Sequence, residues 1–150
     1  MEQKRRMFPP VWLLLALVAM WIADRWLPIV ELASTVARVA GGLLVVVGIG
    51  IGTQASNAFK RAGTPVIPFE RSTALVTAGL FRYTRNPMYL GMVLLLVGVA
   101  LLLGSLGAWL PIPVFVAIIQ VRFIAGEERF LTELFGDEYL AYKRTTRRWL

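Results

Sequence analysis

Two stretches of this chain carry side chains that can do chemistry next to long apolar runs. The first is Gly79-Leu80-Phe81-Arg82-Tyr83-Thr84-Arg85-Asn86-Pro87-Met88-Tyr89-Leu90-Gly91, where a polar loop meets an apolar segment. The second is the pair Glu127-Glu128, which follows another apolar segment. Arginine is expensive near hydrocarbon and is kept there for a purpose. An arginine beside an asparagine, facing two carboxylates, makes a charged pocket for a zwitterionic or multiply charged small molecule, with lipid reaching it from the side. Hydride carriers, nucleotides and sulfonium cofactors all satisfy that description. The chain has no histidine and no cysteine. It therefore lacks the usual neutral-pH base, the commonest metal ligand and any thiolate, and no metal site is expected. A reaction that runs on positioning and electrostatics fits better than covalent or metal catalysis.

Each residue also has a plainer explanation. Asn86 and Pro87 suit the cap and first turn of a helix. Arg82 and Arg85 can snorkel to lipid phosphates. Tyr83 and Tyr89 suit a membrane interface. Glu127 and Glu128 are acids of the kind favoured at a helix N-terminus. Pattern alone reaches a small membrane protein with a charged pocket on its cytoplasmic side.

The elements that must position these residues are read from composition and periodicity. Of the 150 residues, 57% are hydrophobic, and they come in runs close to the roughly 20 residues that cross a bilayer. The expectation is an all-α integral membrane protein forming a single domain over residues 1–150. It has about four transmembrane helices, at 11–27, 36–55, 87–103 and 106–122. A cytoplasmic loop covers 56–86, and an amphipathic cytoplasmic helical segment covers 123–150. The first run resembles a signal peptide but lacks a clear cleavage site, so it reads as a retained helix. Gly48 and Gly52 have the spacing that lets a second helix approach closely. Pro65 and Pro68 break the loop.

The net charge of +7 belongs with anionic lipid rather than nucleic acid, because no reading motif accompanies it. Basic residues gather at the N-terminus (Lys4, Arg5, Arg6), in the loop (Lys60, Arg61, Arg71, Arg82, Arg85) and after Arg122. Both termini are thus expected in the cytoplasm. The runs starting at Pro87 and Leu106 are expected to form a tight hairpin, which brings Arg85 and Glu128 together at its open end. The tail Arg147-Arg148-Trp149-Leu150 reads as suited to a membrane surface.

The motif Gly79-x-Phe81-Arg82-Tyr83-x-Arg85-Asn86-Pro87-x-Tyr89-x-Gly91 is followed by Glu127-Glu128-x-x-Leu131-x-x-x-Phe135-Gly136-x-x-Tyr139-x-x-Tyr142. Together they resemble the isoprenylcysteine carboxyl methyltransferase and phospholipid methyltransferase superfamily, over about residues 59–148. The resemblance implies S-adenosylmethionine as methyl donor and S-adenosylhomocysteine as product. It implies cofactor contacts from Tyr83, Asn86, Pro87, Tyr89, Leu90, Gly91, Glu127 and Glu128, with Arg85 and Glu128 as the catalytic pair. Arg82, Tyr139, Tyr142 and Arg144 would shape the entrance and close the pocket. The acceptor would be a membrane lipid or a lipophilic or lipidated molecule, with a carboxylate, thiol or headgroup as the methylated group. The setting would be a bacterial inner membrane, with oligomerisation open.

One departure stands out: the superfamily's frequent histidine is Asn86 here, which can share hydrogen bonds but cannot take up a proton. This favours a carboxylate or thiolate acceptor over an ammonium headgroup. Two alternatives stand beside the methyltransferase reading. One is an NADPH-dependent membrane enzyme of the sterol-reductase type, whose relatives have more spans. The other is a non-enzymatic membrane protein with a degenerate cofactor site.

Overall fold

The computed structural model describes residues 8–66 and 72–150. Lys4, Arg5, Arg6, Pro68 and Arg71 lie outside the described residues. The first helix, α1 (Pro9–Trp26), starts on two prolines, whose fixed φ suits a first helical turn. The second, α2 (Thr35–Arg61), starts where the Ser34 side chain accepts a hydrogen bond from the Ala37 amide at 3.1 Å. It ends on Lys60 and Arg61, which complement the negative end of the helix dipole. A short 3₁₀ turn over Gly79–Arg82 leads into α3 (Pro87–Leu103). After Gly104 the chain runs as one helical stretch from Leu106 to Phe135. It comprises a 3₁₀ turn (Leu106–Trp109), α4 (Pro111–Ile119), a π turn (Gln120–Ile124) and α5 (Ala125–Phe135). Gly136, at φ 53° and ψ −124°, makes the sharp turn into α6 (Asp137–Thr145), a conformation that excludes most L side chains.

The all-α architecture agrees with the sequence expectation, and the number of spans does not. Among the described residues, two helices are long and apolar enough to cross a membrane, Thr35–Arg61 and Leu106–Phe135, and Pro87–Leu103 is a shorter apolar helix. At 17 residues, α3 is about 25 Å long, short of the ~30 Å hydrocarbon layer. α1 has 18 residues, but its ends are Pro9-Pro10 and Asp24-Arg25-Trp26, which shorten its apolar stretch. The expected fourth span stopped at residue 122, where Arg122 enters. The helix instead continues, with Arg122 exposed and its guanidinium 5.8 Å from the centre of the Trp12 ring.

α3 packs against the helix that follows it, as the expected hairpin requires, and the hairpin's open end brings Arg85 to Glu128, but the closest partner of α3 is α2. Glycine explains this. A Cβ placed on Gly48 would lie 2.6 Å from the Gly91 carbonyl oxygen, and one on Gly41 would lie 2.7 Å from that of Gly98. The two contacts run in opposite order along the helices, so the pair is antiparallel with its backbones touching. The opposite face of α2 leaves Val36, Val39, Leu43 and Val46 exposed. A continuous apolar face on a helix of this length belongs in lipid, and the protein is an integral membrane protein. The core lies where α1, α3 and α4 meet, around Met20, Leu96, Ala100, Ile112, Phe115 and Ile119.

Candidate active site

Three segments converge at one end of the helices: residues 79–86 leading into α3, the start of α5, and the stretch after α6. Pro87 takes the first position of α3, as its ring requires, but Asn86 does not cap the helix with its side chain. The Asn86 amide instead donates to the Arg148 carbonyl at 2.9 Å. Thr84 donates to the same carbonyl at 3.1 Å, and its hydroxyl accepts from the Asn86 main-chain N–H at 3.1 Å. The Arg85 N–H donates to the Arg147 carbonyl at 2.9 Å. Residues 84–86 and 146–148 thus lie side by side as a short parallel pairing.

Glu128 sits at the centre of this convergence. Its side chain and that of Arg85 are each only 9% exposed. Arg85 Nη2 donates to Glu128 Oε1 at 3.0 Å. Arg148 forks onto both oxygens, Nε to Oε1 at 2.9 Å and Nη2 to Oε2 at 2.7 Å. The Lys143 ammonium lies 3.5 Å from Oε2. A buried carboxylate needs such partners, because an unpaired charge there is severely penalised. Arg85 Nη1 is taken up by the carbonyls of Lys143 (3.0 Å) and Thr146 (2.7 Å), which leaves Arg85 Nε buried without a partner among the described residues. The hydrogen bond to Glu128 holds the Arg148 guanidinium above its usual pKa, so it stays charged.

Glu127 turns the other way, as one residue of helix rotation (about 100°) requires. Its Oε1 accepts from the Tyr89 hydroxyl at 2.6 Å. Both residues face a cavity of about 390 Å³ that is also lined by Arg85, Asn86 and Pro87. Most of the remaining wall is apolar, with Phe59, Phe81, Met88, Met92, Phe130 and Leu131 among its members. The volume lies within the usual range for small-molecule sites. A second hollow, lined by Glu128, Arg129, Thr132, Glu133, Lys143 and Arg148, opens on the other side of α5.

The sequence-predicted residues divide between these places. Arg85, Asn86, Pro87, Tyr89 and Glu127 share the cavity wall. Glu128 lies behind it in the ion cluster and borders the second hollow. Gly91 lies against Gly48 and Gly52 of α2, and half-buried Leu90 is outside the wall. Tyr83 is 73% exposed, and Arg82 and Arg144 are exposed as well. Tyr139 is buried near Glu128 and Arg85, and burial pushes its hydroxyl up to about 12. The Tyr142 hydroxyl, also raised by burial, donates to the Phe81 carbonyl at 2.6 Å and pins α6 to the loop before α3. Sequence reasoning missed Thr84, Phe59, Phe130 and, above all, Arg148. The available signal was chemical: a buried glutamate pair needs more cations than Arg85 alone.

Comparison with known proteins bears on this geometry. The sequence profile of the family described as phospholipid methyltransferase matches residues 36–138. The chain belongs to the phospholipid methyltransferase family. This agrees with the superfamily read from the two motifs. An uncharacterized protein of Haemophilus influenzae is 46% identical over 63 residues, covering 42% of this chain and all of that protein. The protein-S-isoprenylcysteine O-methyltransferase of Saccharomyces cerevisiae is 30% identical over 118 residues, covering 75% of this chain and 48% of the yeast protein. The structure of the eukaryotic intramembrane Ras methyltransferase, isoprenylcysteine carboxyl methyltransferase, superposes with a TM-score of 0.68. It matches all of this chain at 17% identity and 53% of that protein. That superposition speaks for a shared fold. The chain spans about half the length of these named methyltransferases.

Proposed function

We propose that this family member is an S-adenosylmethionine-dependent methyltransferase acting on a lipophilic or amphiphilic acceptor at the membrane surface. The observation that carries the reading is the cavity itself: a largely apolar pocket whose lining includes the polar side chains of Arg85, Asn86, Tyr89 and Glu127, so that a cation and a carboxyl group border the same space. The donor set fits the methyl donor. A zwitterionic amino-acid end needs a carboxylate for its ammonium and a cation or N–H for its carboxylate. Glu127 would supply the first, and the Arg85 side chain, which lines the same cavity, the second. Phe59, Phe81 and Phe130 offer ring faces and apolar surface to a purine and to a sulfonium.

When bound, the cofactor supplies an electrophilic methyl group. Glu127 and Arg85 would hold it for transfer of that methyl group to the acceptor. The chain's own contribution is alignment and exclusion of water. Tyr89 fixes the Glu127 carboxylate through its 2.6 Å hydrogen bond. Asn86 cannot remove a proton, so an acceptor that is already anionic, a carboxylate or thiolate, suits the site better than an ammonium headgroup. The apolar wall reaches Phe8, Pro9 and Pro10 at the start of α1, and an acceptor with an apolar tail would lie along it.

The site end faces the cytoplasm in this reading, because Lys60, Arg61, Arg129, Lys143 and Arg147 all lie at that end. Phe8 and Trp149 sit at the same end, so both ends of the described chain share that side. The likeness to the Haemophilus protein supports a bacterial source, and with it an inner-membrane location. Calorimetric titration of detergent-purified protein with S-adenosylhomocysteine, with NADPH as control, tests the function. Saturable binding of the first alone is expected. Binding of NADPH instead would move the protein to the reductase class.

A further inference from the structure

Arg148 is held through both its main chain and its side chain. Its carbonyl accepts from Thr84 and Asn86, and its guanidinium bridges both oxygens of Glu128. The preceding residue, Arg147, accepts the Arg85 N–H. The following residue, Trp149, donates from Nε1 to Gln120 Oε1 at 3.0 Å, at the start of the π turn that leads into α5. One extended segment therefore ties the loop before α3 to α5. These are the two elements that present Arg85, Asn86 and Glu127 to the cavity.

The chemistry of the contacts makes this more than packing. Asn86 has a carboxamide whose two ends are nearly equal in shape. Turning it over would set its oxygen against the Arg148 carbonyl, acceptor against acceptor. The carbonyl thus selects the orientation in which Nδ2 faces the segment 146–149 and Oδ1 becomes the other end of the amide. Since Asn86 lines the cavity, that choice fixes whether the wall offers an acceptor or a donor there. The guanidinium fork is equally specific. A lysine could replace arginine beside a lipid phosphate, but it cannot bridge two carboxylate oxygens in one plane.

We infer that Arg148 is a positioning residue, which fixes Asn86, Arg85 and α5 in the arrangement that binds the methyl donor without itself lining the cavity. The inference rests on the methyltransferase reading above.

The test compares wild type, Arg148→Lys and Arg148→Ala in detergent by hydrogen exchange and by S-adenosylhomocysteine titration. In Arg148→Ala, exchange across residues 84–89 is expected to quicken about tenfold or more, while the α2–α3 contact at 91–98 keeps its protection. The dissociation constant rises by a similar factor, as loss of charge-assisted bonds implies. Arg148→Lys, which keeps the charge and guards against a variant that does not fold, recovers only part of either loss. Full recovery in the lysine variant would make Arg148 a surface charge. Unchanged exchange at 84–89, or equal acceleration at 84–89 and 91–98, would also overturn the inference. Wild-type protein that binds no S-adenosylhomocysteine would sink the methyltransferase reading, and the exchange data would then decide the positioning role by themselves.

Discussion

Glu127 and Glu128 are neighbours in sequence and serve opposite sides of α5. Glu127 accepts from Tyr89 on the cavity wall, whereas Glu128 is gripped by Arg85 and Arg148 behind it. A motif that reads as one acidic pair is therefore two devices, one facing the ligand space and one holding the wall in place. The two roles give different mutational signatures.

Glu128→Ala is expected to act on stability first. It leaves Arg85 buried with its Nη2 unpaired and removes both ends of the Arg148 fork. Breaking one partner out of a buried ion pair costs about 3–5 kcal/mol. Denaturant or thermal unfolding in detergent should show that loss. A thermal midpoint within about a degree of wild type would contradict the buried cluster.

Glu127→Gln is expected to act on binding and spare the fold. The change keeps the shape of the side chain, so the Tyr89 hydroxyl still finds an acceptor. What is lost is the negative charge opposite a cationic ligand. S-adenosylhomocysteine should bind about tenfold or more weakly, the equivalent of one charge-assisted hydrogen bond. An unchanged dissociation constant would remove Glu127 from the ligand contacts.

The sequence carried some of this and concealed the rest. The meeting of Arg85 with Glu128 was legible because charge distribution and helix order leave few other arrangements. The spacing of Gly48 and Gly52 announced a close helix partner without naming it. The partner is α3, because Gly91 and Gly98 answer Gly48 and Gly41 seven residues apart on both helices. The span count failed on the treatment of charge. Asp24 and Arg25 trim α1 from inside, and Arg122 looked like the end of a helix that in fact continues to Phe135. The role of Arg148 was hidden because a pairing between distant segments has no period, and an Arg-Arg-Trp tail looks the same whether it meets lipid or a buried carboxylate.

The α2–α3 contact gives a prediction independent of function. Gly91→Leu would drive a side chain into the Gly48 carbonyl, since even a Cβ there lies 2.6 Å from that oxygen. Backbone cannot yield as a flexible side chain can, so the helices must separate. Overpacking of this kind costs about 1–3 kcal/mol or more. Gly50→Leu is the control, because a Cβ there meets nothing within 4 Å. The Gly91 variant should melt several degrees lower and the control should melt near wild type. Equal melting of the two would disprove the backbone contact.

Alkaline stability reports on α6. Burial holds the Tyr139 hydroxyl up to about 12 in the folded protein, whereas an unfolded tyrosine ionises near 10. Between these values the unfolded chain has released a proton that the folded chain still holds. The unfolded state binds fewer protons, so stability falls as pH rises from about 10 to about 12. Tyr142, raised by burial in the same way, contributes to the same decline. Tyr139→Phe keeps the ring and removes the ionising group, so the slope of stability against pH in that window should become shallower without vanishing. Measurement of unfolding midpoints from pH 8 to 12 in both proteins decides it. An unaltered slope in the Phe variant would mean that Tyr139 is not held neutral against α5 by the packing of α6.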